Sequence, residues 1–336
     1  MVIRYLGFYL ILFISTCYIS CTREQHPYVF LEGFTQGTTY HVTYENSTGE
    51  NYKEEIENLL HEFDLSLSSY IDSSLISRFN RGEEVQPDDY FHEVLQVARH
   101  VYHETNGAFD ITVGPVVNAL GFGSTERLEV DSAIIDSLAQ HLGMEKIYMG
   151  NGTLVKTDPN VVLDVNAIAQ GYSVDVVARF LDEKGIQNYM VEIGGEVRTL
   201  GKNLKGKIWR IGIDKPVEGN MIAGIELQDI ISLKNQSLAT SGNYRRFFVK
   251  DGVKYTHTID PATGFPVISR LLSATVVSDM CIVADAYATA FMVMGVEKSI
   301  EFVKSHDEIE AYFIFSDEEG DYQIWYTDKM GEMLAR

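Results

Sequence analysis

Strand-like segments in this chain come in groups, and helical segments fall between the groups. "YVFLEGFTQGTTYHVTYE" (28–45) alternates as a hairpin does. "NYKEEIENLLHEFDLSLSSY" has helical spacing at Ile56, Leu59, Leu60 and Phe63. "FHEVLQVARHVYHETNG" is a second amphipathic helix, closed by Asn106-Gly107, and 131–142 is a third. "GTLVKTDPNVVLDV" reads as a strand pair about a Pro-Asn turn. A helix then runs from Ile168 to Lys184 and stops at Gly185. "YMVEIGGEVRTLG", "IWRIGIDKP" and "IAGIELQDIISLKNQSLATSG" are strands, the first breaking at a double glycine. "VVSDMCIVADAYATAFMVMG" is strand, turn and apolar helix, and "AYFIFSD" with "YQIWYTD" is a last hairpin. Grouped strands do not suit a doubly wound sheet. They predict an α+β fold with largely antiparallel sheet and packed helices.

The 336 residues suffice for one large domain or two ordinary ones, and 45% hydrophobic residues supply a substantial core. With no repeat and no long linker, 28–336 is expected to be one unit, allowing for two lobes. Acidic residues number 48 against 27 basic, a net charge of -21. That argues against a nucleic-acid surface, which needs clustered Lys and Arg. An anionic small ligand would need local help from backbone N–H groups, a helix N-terminus or a metal cation.

Residues 1–21 read as a targeting segment: Arg4, a short apolar run, then small residues and cysteine. Cys21 follows Ser20 and precedes the polar tether 22–27, as at a bacterial lipoprotein cleavage site. Cys17 is the second candidate for lipidation. The expectation is an exported lipoprotein, anchored to a membrane and facing the periplasm. Cys281 is the third cysteine, so the mature chain has no disulfide framework. It reads as a small buried side chain.

Familiar motifs are missing. The chain has no phosphate-binding P-loop, no dinucleotide fingerprint, no H-E-x-x-H and no G-x-S-x-G. Five other segments stand out. In "VADAYATAFMVMG", Asp285 and Thr289 are one helical turn apart in apolar surroundings. They suit a hard cation such as Mg²⁺ or Ca²⁺, or else Asp285 caps its helix and Thr289 back-bonds. In "VVLDVNAIAQGYSVD", Asp164 ends a strand ahead of a helix, and Asn166 suits a cap. In "TNGAFDITVGPVVNALGFG", Gly107, Gly114 and Pro115 force irregular backbone. Phe109 there offers a ring to a planar ligand, unless the segment is only a helix-to-strand corner. Gly194-Gly195 permits close backbone approach. Arg245 and Arg246 suit a phosphate, an acidic surface or solvent.

Between these lies "KYTHTIDPATGFPV", a strand that runs through His257 into a stiff Asp-Pro-x-Thr-Gly turn. His257 is the one side chain in the strong motifs with an ordinary pKa near neutrality.

Taken in order, "QGTTYHV", "SSYIDSSLISRFN", "TNGAFDITVGP", "LDVNAIAQGYSVD", "VEIGGEVRTLG", "SLATSGNYRR", "HTIDPATGFP" and "ADAYAT" resemble the FAD:protein FMN transferase (ApbE) family over nearly the whole mature chain. The resemblance implies an α+β fold related to tunnelling-type folds. It implies FAD as substrate, Mg²⁺ as cofactor, and transfer of FMN to a Ser or Thr hydroxyl with release of AMP. It places metal ligands at Asp285, Thr289 and the main-chain oxygen of Ala167. It places FAD contacts at Gln36, Tyr70, Gly107, Ala108, Phe109, Asp164, Gln170 and Ile259, and associates His257 with transfer. Family members often carry Met in place of Gln36, and Lys or Glu in place of Gln170. The implied acceptor is a flavin-carrying subunit of a membrane redox complex. The same residues would serve an Mg-dependent FAD pyrophosphatase, and a flavin-binding lipoprotein without activity is the non-enzymatic alternative.

Overall fold

The structure is a computed structural model that describes residues 28–123, 128–217, 220, 224–243, 247–250, 253–256 and 258–335. The chain opens with the hairpin β1 (Tyr28–Thr35) and β2 (Thr38–Glu45). Helices α1 (Lys53–Leu67), α2 (Leu75–Asn80), α3 (Asp89–Glu104), α4 (Gly114–Ala119) and α5 (Ser132–Ala139) follow. A short ladder of β3 (Ile147–Gly150) and β4 (Thr153–Lys156) leads to α6 (Ala169–Glu183). Next come β5 (Tyr189–Ile193), β6 (Glu196–Leu200), β7 (Trp209–Asp214), β8 (Leu227–Leu233) and β9 (Ser237–Gly242). Then come β10 (Phe247–Lys250), β11 (Val253–Thr256) and β12 (Leu271–Ser278). Helix α7 (Cys281–Val303), the hairpin β13 (Glu310–Ser316) and β14 (Tyr322–Tyr326), and α8 (Asp328–Met333) complete it.

Eight strands form one sheet in the order β1-β2-β5-β6-β9-β12-β13-β14, antiparallel at every step. The expected α+β class is therefore the observed one. Alternation along the strands divides the core. Ala274 and Val276 of β12 face a cluster built on α1, α3, α6 and α7, while Val277 faces the cover formed by β7, β8 and α8. Helix α7 is apolar nearly all round because it is buried nearly all round.

Turn chemistry sets the hairpins. Gln36 and Gly37 both have positive φ, 50° and 74°, the two-residue loop that matches strand twist. Gly194 and Gly195, at 67° and 112°, turn β5 into β6.

The strand pair expected across 152–165 is not formed. β4 pairs instead with β3, which precedes it, through Asn151 and Gly152 at φ 52° and 83°. That Asn-Gly step supplies a ready two-residue turn. Residues 161–164 lie along the start of α4, with a parallel bridge from Val162 to Val113. Gly114 permits this approach, since a Cβ there would stand 2.4 Å from the Val162 carbonyl oxygen. The segment after Gly107 is thus no simple helix-to-strand corner, because α4 follows it.

Candidate active site

Helices α6 and α7 pack with their backbones nearly in contact. A Cβ on Gly171 would lie 2.5 Å from the Cys281 carbonyl oxygen and 2.7 Å from Asp285 Cβ. Gly171 is the third residue of α6, so its N–H has no ordinary partner in the first turn. It donates to Asp285 Oδ2 at 3.0 Å. The reading of Asp285 as the cap of its own helix is corrected here. Asp285 sits one turn inside α7 and caps α6, whose own cap position, Ile168, offers no side-chain bond.

The Asp285 side chain is buried, and burial pushes its carboxyl up to about 7, against the pull of the Gly171 N–H. One turn further along, Thr289 Oγ1 shares a hydrogen bond with Ser241 Oγ of β9 at 3.0 Å. The Thr289 hydroxyl is thus turned to a neighbouring strand. The carbonyl of Ala167, one residue ahead of the α6 cap position Ile168, accepts no backbone hydrogen bond among the described residues. The oxygens expected as ligands are thus one carboxylate, one hydroxyl and one carbonyl, of which the Asp285 carboxylate lies at the α6–α7 contact and the Thr289 hydroxyl faces β9. No group of three or more His, Cys, Asp or Glu that could hold a metal occurs among the described residues. So hard a donor set suits a cation that brings further oxygens of its own, such as phosphate and water.

The tips of two hairpins meet the same helix end. Ser173 Oγ donates to Gln36 Oε1 at 3.4 Å, and the Gly194 N–H donates to the Thr39 carbonyl at 3.1 Å. Gln170 Nε2 lies 2.5 Å from where a Gly194 Cβ would stand, and the left-handed backbone at Gly194, φ 67°, favours glycine there. Gln36 and Gln170 are thus brought together at the start of α6.

Asp164 stands just upstream. Its Oδ1 accepts the Asn166 N–H at 2.9 Å, and its Oδ2 accepts Asn166 Nδ2 at 3.2 Å. Asn166 is spent on this turn and does not cap α6. Burial pushes the Asp164 carboxyl up, opposed by the two Asn166 bonds. The Asp164 N–H bonds the Ile111 carbonyl at 2.7 Å, which ties this loop to the segment after α3.

In that segment Gly107, at φ 82°, turns the chain and donates its N–H to the Tyr102 carbonyl at 2.8 Å. The Ala108 N–H goes to the Thr105 carbonyl at 3.2 Å, and the Phe109 N–H to Thr105 Oγ1 at 3.2 Å. The ring of Phe109 is buried in the main core, which corrects the reading of it as a stacking platform. Tyr70 differs, with 60% of its surface open.

The stiff turn after β11 is closed by its own bonds. Asp260 exchanges backbone bonds with Phe265 and Gly264, and its Oδ1 accepts the Ala262 N–H at 2.9 Å. Ile259 pairs with Pro266 and buries its side chain with Val116, Val117 and Ile135. Gly264, at φ 75°, packs on α5, where a Cβ would stand 2.9 Å from Ala139 Cβ. His257, Arg245, Arg246, Cys17 and Cys21 lie outside the described residues. Cys281 is buried and free.

Gly171, Ser241 and Asp175 did not stand out as site residues in the sequence. Only the alternation of Ala239 and Ser241 toward one sheet face hinted at Ser241.

The ApbE family model matches residues 36–313. A curated FAD:protein FMN transferase from Vibrio cholerae serotype O1 is 38% identical over 301 residues, 87% of this chain and 89% of that protein. One from Haemophilus influenzae is 37% identical over 318 residues, 90% of each. The solved structure of the flavin transferase ApbE from Vibrio cholerae superposes with a TM-score of 0.83 at 36% identity, covering 92% of this chain and 99% of that one. With the same segments in order and the same antiparallel architecture, the chain belongs to the ApbE family.

Proposed function

We propose that this protein is an enzyme that transfers FMN from FAD to a target protein. The observation that carries this reading is the buried Asp285 carboxylate held at the first turn of α6 by the Gly171 N–H, in a chain that matches flavin transferases along its length.

In finer detail, Asp285, Thr289 and the Ala167 carbonyl hold Mg²⁺. When bound, that ion neutralises pyrophosphate charge, which a chain of net charge -21 cannot do unaided. The Gly171 N–H holds the Asp285 carboxylate in place and opposes the upward push of burial on its carboxyl. The acceptor is a Thr or Ser hydroxyl. Its oxygen forms a bond to the flavin-side phosphorus of FAD, the bond from that phosphorus to the bridging oxygen breaks, and AMP leaves with the bridging oxygen. His257 takes the hydroxyl proton, as a group with an ordinary pKa near neutrality can. The turn 258–267, closed by its own bonds, fixes the described backbone downstream of β11.

The acceptor fits a flavin-carrying subunit of a membrane redox complex. The apolar segment before Cys21 supports export and anchoring, with Cys21 or Cys17 lipidated and the enzyme facing the periplasm.

The test is mass spectrometry of a mixture of the chain from Thr22, FAD, Mg²⁺ and an acceptor domain. A gain of one FMN on an acceptor Thr or Ser, lost in Asp285→Ala, is expected. FAD left intact would sink the reading, and free FMN with AMP beside an unmodified acceptor would make the enzyme a pyrophosphatase.

A further inference from the structure

Helix α7 begins without a cap of its own, since the side chain of Met280 makes no capping bond. Its orphan N–H groups are answered from α6. Asp175, fully buried, accepts the Ile282 N–H on Oδ2 at 2.9 Å. Its Oδ1 pairs with Arg198 Nη1 of β6 at 2.7 Å. The same guanidinium nitrogen donates to the Asp279 carbonyl at 3.2 Å, just ahead of α7. Asp285 returns the favour by capping α6 at Gly171. The two helices thus cap each other's N-termini with buried carboxylates.

The spacing makes this a positional device. Gly171 and Asp175 are one turn apart on α6, and Ile282 and Asp285 are about one turn apart on α7. One contact would leave α7 free to slide or roll against α6. Two contacts a turn apart, about 5.4 Å, fix its axial register. Arg198 adds a third point on the sheet. A buried ion pair is a poor way to gain stability alone, since apolar residues of similar volume often serve as well. It does fix which groups face each other.

We infer that Asp175, held by Arg198, is a positioning residue: it sets the register of α7 and so presents Asp285 and Thr289 to the metal and pyrophosphate. This rests on the proposed transferase reading, and it adds two residues that touch neither metal nor substrate.

The experiment compares the wild-type chain from Thr22 with Asp175→Asn and Arg198→Lys. Asp175→Asn keeps the shape and one acceptor oxygen, and Arg198→Lys keeps the charge. Three quantities are read: Mn²⁺ affinity by EPR titration with FAD present, the Mg²⁺ concentration that half-activates transfer, and the thermal midpoint without ligand. In Asp175→Asn both metal constants should weaken by about 10-fold or more, with turnover largely recovered at saturating metal. Arg198→Lys should fall between the two. Unchanged metal constants in an Asp175→Asn variant that unfolds earlier would reduce the pair to a structural one and overturn the inference. Should Asp175→Asn not fold, unchanged constants in Arg198→Lys would overturn it equally. A wild-type chain that binds no Mn²⁺ would remove the inference and the metal assignment together. Wild-type metal binding without transfer would sink the transferase reading while leaving the register question measurable.

Discussion

The N–H of Gly171 meets the buried carboxylate of Asp285 at 3.0 Å, and the Cys281 carbonyl fills the space a side chain at 171 would need. Gly171→Ala should therefore push α6 and α7 apart. The expected loss is about 1–3 kcal/mol, typical of overpacking a tight site. Urea midpoints would show it, and a midpoint equal to wild type would mean the helices can part without cost.

Removing the carboxylate should uncouple the enzyme from its metal. Asp285→Ala should lower transfer by more than about 100-fold, since changes even one shell away from a metal cost roughly 10–100-fold. Chelation with EDTA should stop the wild-type reaction, and added Mg²⁺ should restore it. A variant that keeps the wild-type Mg²⁺ profile would remove Asp285 from the site.

Asp110 should give stability a pH signature. Its Oδ1 accepts the Thr112 N–H at 2.7 Å and the Thr112 hydroxyl at 2.6 Å, yet burial pushes the carboxyl from 3.8 up to about 6. The folded state therefore holds the proton more tightly than the unfolded chain. This contribution is fully present below pH 3.8 and is lost as pH rises through 6. Asp110→Asn cannot ionise, so it should gain on wild type between about pH 4 and 6. Chemical unfolding across that window is the check, and parallel profiles would show that Asp110 stays ionised in the fold.

Gly264 has φ 75°, and a Cβ built there would stand 2.9 Å from Ala139 Cβ. Gly264→Ala should cost about 1–2 kcal/mol from the left-handed backbone alone. It should also loosen the turn from α5 and slow transfer, with metal affinity unaffected. Equal slowing and metal loss would instead indicate a global change.

His257→Gln should lower turnover by about 10²–10⁴-fold, the usual worth of a positioned base. FAD binding, followed by flavin fluorescence, should persist. Near-normal transfer would assign the proton to another group.

Much of this protein was readable from neighbouring residues alone. The hairpin 28–45, helices α1, α3 and α6, and the antiparallel class follow from periods of 2 and 3.6 and from turn residues, which are local properties. The i, i+4 spacing of Asp285 and Thr289 likewise marks one helix face. Helices α2, α4 and α8 have six residues each, too few for a period to show. The Asn151-Gly152 turn was a local signal that the later Pro-Asn turn obscured. Phe109 looked available because it sits beside glycines, and the surrounding core decided otherwise. What no local pattern contains is which distant group answers an orphan N–H. Gly171 and Asp285 are 114 residues apart, Asp175 and Ile282 are 107 apart, and Ser241 and Thr289 are 48 apart. Residue type and spacing determined that a carboxylate would be buried in α7. Only the packing of α6 against α7 decided what it faces, because burying a carboxylate without a partner is costly and the fold alone brings that partner near.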